Sequence, residues 1–163
     1  MTIQLPLTDC EAGRHEEEHV RVGPTNVGKG VFATRRFPIR AVIGEIKGSI
    51  IADASYCSDY CFDMENGCQL EPAPPFRYVN HSCDPNCEFD WLDEGPEAAS
   101  LESRQVYLIA LREIDLGDEL TIDYNWPFEE AIPCQCQSPA CRGWIVSIDE
   151  VHSITSPRPV DKE

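Results

Sequence analysis

Apolar residues along this chain fall into short runs, broken every few positions by Gly, Pro, Asn or Asp. Val31-Phe32-Ala33, Val42-Ile43-Gly44-Glu45-Ile46, Tyr60-Cys61-Phe62, Val106-Tyr107-Leu108-Ile109-Ala110-Leu111 and Leu120-Thr121-Ile122 are rich in β-branched and aromatic residues. They predict short strands. No window carries a sustained apolar stripe at helical spacing, and the only helical feature expected is a brief turn just before Asn80. Leu92 to Ser100 is polar, with Gly95-Pro96 at its centre, and reads as a loop between strands. Residues 1–19 mix Pro6, Asp9 and Glu16-Glu17-Glu18 without a period and read as an extension, and residues 148–163 read as a tail that frays. The pattern predicts one mainly β, loop-rich domain.

Charge narrows the partners. Thirteen Lys and Arg stand against twenty-nine Asp and Glu, a formal charge of −16. Such a surface repels a phosphate backbone and attracts basic polypeptides, although the same charge also serves plain solubility. Direct nucleic-acid binding is therefore not expected. Nine cysteines are present, no apolar signal opens the chain, and no run approaches the roughly twenty apolar residues that span a membrane. This combination disfavours a secreted disulfide protein and favours an intracellular one that uses thiolates for metal.

Three motifs then follow in a fixed order: Arg77-Tyr78-Val79-Asn80-His81-Ser82-Cys83-Asp84-Pro85-Asn86-Cys87, Glu119-Leu120-Thr121-Ile122-Asp123-Tyr124, and Cys134-x-Cys136-x4-Cys141-Arg142-Gly143. The last places three thiolates within eight residues, one short of a tetrahedral zinc set, with ordinary thiols or a redox pair as the alternative. Upstream, Gly28-Lys29-Gly30 lies between a turn and a strand, where glycine lets a ligand approach the backbone. Cys10, Cys57, Cys61, Cys68 and Cys87 lack such context and read as buried or partly buried free thiols.

Together the motifs resemble the SET-domain protein-lysine methyltransferases that carry a post-SET zinc segment. The resemblance runs from about Val20 to Val146, with a SET domain expected over 20–130 and the zinc segment over 131–147. It implies a SET fold, several small sheets with a knot-like threading that brings Tyr124 to Asn80-His81. It implies Cys83 as the fourth zinc ligand beside Cys134, Cys136 and Cys141. S-adenosyl-L-methionine is expected against Gly28, Lys29, Gly30, Val31, Asn80, His81 and Tyr124, with Trp144 stacking on adenine.

Tyr124 matches the catalytic tyrosine, and Tyr60 is the candidate second tyrosine on a lysine channel walled by Phe89, Ile122, Trp126 and Phe128. As plain structure, Tyr124 is a residue packed at a strand end, and Tyr60 and Trp144 are core aromatics. The role implied for Tyr124 is orientation rather than proton abstraction, since a free phenol titrates near 10. Phe89 and Ile122 lack the hydroxyl the family sometimes places there, which favours dimethyl or trimethyl products. The implied function is methylation of a lysine in a basic protein segment, histone-like tails leading, in the nucleus of a eukaryote or the cytoplasm of a prokaryote. Glu88, Asp90, Asp93, Glu94, Glu129 and Glu130 are candidates to steer such a peptide. The alternative is a non-catalytic, zinc-stapled module that binds a basic peptide or partner. Oligomeric state stays open.

Overall fold

The computed structural model describes residues 19–53, 56, 58–64, 68–92 and 105–154. The expectations for residues 1–18, Cys10, Cys57, the loop from Asp93 to Ser100 and the tail beyond Ile154 lie outside these residues. Twelve short strands dominate the described chain, as the broken apolar runs require, and its helical content is a few 3-10 turns, one of them at Phe76–Tyr78 just before Asn80. No described helix is long and apolar enough to cross a membrane.

Strands β1 (Val20–Thr25) and β2 (Gly28–Ala33) form an antiparallel hairpin whose tight turn at Asn26-Val27 delivers the chain into Gly28 at φ +119°, a conformation L side chains rarely adopt. β10 (Glu119–Ile122) pairs with β2 from the other side, and β7 (Asn80–His81) joins β10 in parallel, with Thr121 opposite Asn80 and Ile122 opposite His81. A second sheet orders β3 (Val42–Glu45), β9 (Gln105–Ala110) and β8 (Cys87–Leu92). A third orders β4 (Gly48–Ile51), β6 (Gln69–Pro72) and β5 (Phe62–Asp63), and a two-stranded ribbon joins β11 (Ile132–Pro133) to β12 (Trp144–Ile145). Only the end of Tyr60-Cys61-Phe62 is strand, because the backbone N–H groups of both Tyr60 and Cys61 turn back to the Ser58 hydroxyl.

Val31, Phe37, Leu108, Ile114 and Leu120, all wholly buried, hold the sheets on one core. Leu120 follows a period of two along β10, whereas Leu108, Ile109 and Ala110 are buried in succession because the end of β9 is covered on both faces. Within this core Asn86 acts as a surrogate strand. Its side-chain amide donates to the Glu119 carbonyl at 2.8 Å, and its Oδ1 accepts the Thr121 N–H at 2.8 Å. The residue is buried, so both backbone groups depend on it. Replacing Asn86 by Ala is expected to lower the unfolding free energy by about 3 kcal/mol, the cost of leaving such groups unpaired, read from urea denaturation.

Candidate active site

The β7–β10 pairing places the Asn80-His81 dipeptide beside the end of β10, where the chain leaves the sheet through Asp123 and Tyr124. The Tyr124 hydroxyl donates to the Val79 carbonyl at 3.0 Å, and its ring lies 5.4 Å from His81 and 5.5 Å from Trp126. Burial, followed by the charges of Tyr60 and Glu119, pushes its phenol up to about 12. Tyr124 therefore stays protonated through the whole physiological range.

His81 is fully engaged. The Tyr124 backbone N–H donates to its Nδ1 at 3.2 Å, so that nitrogen carries no proton and Nε2 does, donating toward the Cys83 sulfur 3.3 Å away. Burial lowers its pKa to about 4; the Arg142 charge adds to this, against the opposing pull of Asp123. A neutral ring thus ties the backbone of Tyr124 to the Cys83 thiol, and Asp123 Oδ1, 3.5 Å from Nδ1, belongs chiefly to Arg142.

The sulfurs of Cys83, Cys134, Cys136 and Cys141 lie within 4.8 Å of one another, with Cys83 and Cys134 3.7 Å apart. Four sulfurs at about 2.3 Å from a tetrahedral zinc stand about 3.8 Å from each other, so the four thiols fit that ion. Backbone N–H groups of Cys136 and Gly143 point at the sulfurs of Cys134 and Cys141 at 3.4 and 3.3 Å, the donors a bound thiolate needs. Burial works against ionisation of Cys136, yet N–H donors and neighbouring thiols bring it to about 7, while burial raises Cys83 and Cys134. Cys61, Cys68 and Cys87 are free thiols, the last pushed up to about 12 by burial.

Arg142, next to Cys141, reaches back to Asp123 with Nη1 and Nη2 at 2.7 and 2.8 Å, a bidentate pair with the arginine side chain 9% exposed. The cysteine segment is thereby clamped to the residue preceding Tyr124.

Two cavities meet at Tyr124. One, about 420 Å3, is bounded by Asn26-Val27, Asn80, His81, Glu119, Thr121 and the stretch from Ile132 to Cys136 with Ile145. The other, about 100 Å3, is walled by Tyr60, Phe62, Phe89, Ile122 and Trp126. Tyr124 lines both and no other described residue does. Of the expected channel walls, Phe128 is absent: it sits exposed in its own 3-10 turn. Tyr60, 43% exposed, is held with its ring under the Arg77 guanidinium at 3.9 Å.

Of the residues expected to hold the cofactor, Asn80, His81 and Tyr124 line the larger cavity, and the others are placed elsewhere. Val31 is wholly buried, and both edges of its backbone are paired, with Val22 and Leu120. Lys29 lays its ammonium over the Tyr78 ring. Gly28 and Gly30 do not line the cavity; the turn residues Asn26 and Val27 just before them do. Trp144 pairs with Pro133 across the ribbon, and its neighbour Ile145 meets the cavity instead. Of the acidic residues expected to steer a peptide, Glu88 and Asp90 are paired with Arg40, and Asp93 and Glu94 lie outside the described residues.

Residues 28–125 match the SET domain family. Over 72% of its length the chain is 30% identical to histone-lysine N-methyltransferase trithorax of Drosophila virilis, covering 3% of that protein. Over 53% it is 41% identical to histone-lysine N-methyltransferase ash1 of Drosophila melanogaster, covering 4%. The chain therefore spans only a few hundredths of the length of the relatives it matches. The crystal structure of KRYPTONITE in complex with mCHG DNA and SAH superposes with a TM-score of 0.67 at 20% identity, over 77% of this chain and 28% of that one.

Replacing Asp123 by Asn weakens a half-buried, bidentate ion pair. It is expected to destabilise the fold by about 1–2 kcal/mol, measured by denaturant unfolding, whereas Arg36→Gln, whose pairs with Glu113 and Asp115 are exposed, is expected to change little.

Proposed function

The chain belongs to the SET-domain family, and on that premise we propose that it is an S-adenosylmethionine-dependent protein-lysine N-methyltransferase acting on a basic segment such as a histone tail. The observation that carries this reading is the single tyrosine shared by two cavities of unequal size. Methyl donor and lysine amine occupy the two sides of Tyr124. The donor supplies an electrophilic methyl group on a sulfonium. In this reading residues 20–130 form the catalytic unit, and residues 131–147 close the larger cavity once zinc joins Cys83, Cys134, Cys136 and Cys141.

The residues present do what this chemistry asks. Phe62, Phe89, Ile122 and Trp126 give the smaller cavity apolar walls that favour the neutral amine, while Asp59, Arg77 and Asp123 add charge to the same lining. Tyr124 is no base at a pKa of about 12; its hydroxyl, anchored on the Val79 carbonyl, orients the approaching amine. Tyr60 and the Arg77 guanidinium over its ring line the same cavity. The acidic balance of −16 draws a basic peptide, and an intracellular, nuclear setting follows from a tail substrate.

Transfer of labelled methyl to histones and other basic proteins tests the proposal. Label on lysine is expected, with Tyr124→Phe slowing transfer by about 10²-fold, the scale of losing one positioned hydroxyl. Folded, zinc-loaded protein that binds a tail peptide without transferring label would replace the enzyme by a binding module. The wild-type rate is expected to climb from pH 7 toward 10 as the substrate amine loses its proton, with no fall from Tyr124, whose phenol ionises only near 12. Chelation of zinc is expected to weaken cofactor binding in calorimetry, because the metal holds the segment from Ile132 to Cys136 against the larger cavity.

A further inference from the structure

The carboxylate of Glu71 gathers the segment that carries Tyr60. It stands on β6 with its side chain 16% exposed, beside the point where the β5–β6 ladder stops. Phe62 pairs with Leu70, so Cys61 would face Glu71 had the ladder gone on by one residue. The chain turns away there instead, and side chains take over from strand pairing. Glu71 Oε1 accepts from Arg77 Nη1 at 2.6 Å, while Oε2 accepts from the Ser58 hydroxyl and, at 3.4 Å, from the Tyr56 hydroxyl.

Two ties run from this carboxylate to Tyr60. The Ser58 hydroxyl gives its only proton to Glu71, so its oxygen is left to accept. The backbone N–H groups of Tyr60 and Cys61 both reach that oxygen at 3.2 Å. The Arg77 guanidinium, held by Oε1, lies 3.9 Å from the centroid of the Tyr60 ring. One tie fixes the backbone and the other the ring. Burial works against the charge of Glu71, yet Ser58 and Arg77 hold its carboxyl below the usual value, so both ties persist at neutral pH. Tyr60 needs them, because it is 43% exposed and an aromatic so open to water otherwise changes rotamer freely. Tyr60, Cys61 and Arg77 all line the smaller cavity, so its wall is only as fixed as these ties.

We propose that Glu71 is a positioning residue that sets Tyr60 against the incoming lysine. The proposal rests on the methyltransferase reading above. Glu71 itself lines neither of the two cavities that meet at Tyr124, so it acts through the residues it holds.

A double-mutant cycle on the zinc-loaded protein tests this. Transfer of labelled methyl to purified core histones at saturating S-adenosylmethionine is measured for wild type, Glu71→Gln, Tyr60→Leu and the double variant. Glu71→Gln keeps the volume and an acceptor for Ser58 but releases Arg77, and is expected to lower kcat/KM about tenfold. In the Tyr60→Leu background the same change is expected to cost less than about twofold, because the side chain it positions is gone. Arg77→Lys keeps the ion pair and removes the flat group over the ring; it is expected to behave the same way and carries the cycle where a thermal melt shows Glu71→Gln unfolded. Calorimetric affinity for S-adenosylhomocysteine is expected to stay within about twofold in every variant, and a fall in it alongside transfer marks a packing role and overturns the inference. Equal loss of transfer in both backgrounds, or loss in neither, also overturns it and leaves the methyltransferase reading standing. Wild-type protein that transfers no methyl overturns that reading and the inference with it.

Discussion

The site hangs on a parallel pairing only two residues long, β7 against β10. It joins residues some forty positions apart, and so brief a ladder has few hydrogen bonds of its own. The surroundings make up the difference. Asn86 satisfies β10 where no strand lies beside it, the Ser82 N–H closes on the Ile122 carbonyl at 2.8 Å, and the Asn80 side chain reaches across to β2 and Glu119. Asn80, His81, Cys83 and Tyr124 all stand on these few residues or within two positions of them. Precision here comes from side-chain hydrogen bonds buried at the junction, where an unmet partner is costly, rather than from the length of any strand.

The same junction couples chemistry to metal. His81 reaches the Tyr124 backbone with one nitrogen and Cys83 with the other, and Arg142 reaches Asp123 from beside Cys141. Two separate links thus run from the cysteine cluster to the residues around the shared tyrosine. One is a neutral imidazole held in a single tautomer, and the other is a bidentate ion pair. The imidazole is buried and the ion pair half-buried, so salt screens the first little and the second only in part.

Much of this was legible in the sequence, and the misses have physical causes. The cysteine cluster, Tyr124 and the turn before Asn80 follow from spacing and motif order, because their chemistry demands fixed residue types. β8 went unread, although Cys87, Phe89 and Trp91 alternate with Glu88 and Asp90 in a clean period of two; the signal was present and charge obscured it. The cavity residues after Pro127 and the ties from Glu71 to Tyr60 were not legible, since no local pattern states which distant side chains a carboxylate gathers. Val31 shows how a residue beside a motif is claimed by packing: its side chain is wholly buried in the core.

The larger cavity also has a place in time. Its walls come from Asn26-Val27 near the start of the described chain and from residues 132–145 near its end, and the Asn26 side chain donates to the Gln135 carbonyl across 109 positions at 3.1 Å. Contacts of such separation carry a loop-closure cost that only a largely formed domain can offset. The smaller cavity draws only on residues 59–126 and closes over shorter loops. The larger cavity therefore exists only when both ends of the described chain are in place, whereas the smaller is complete within residues 59–126.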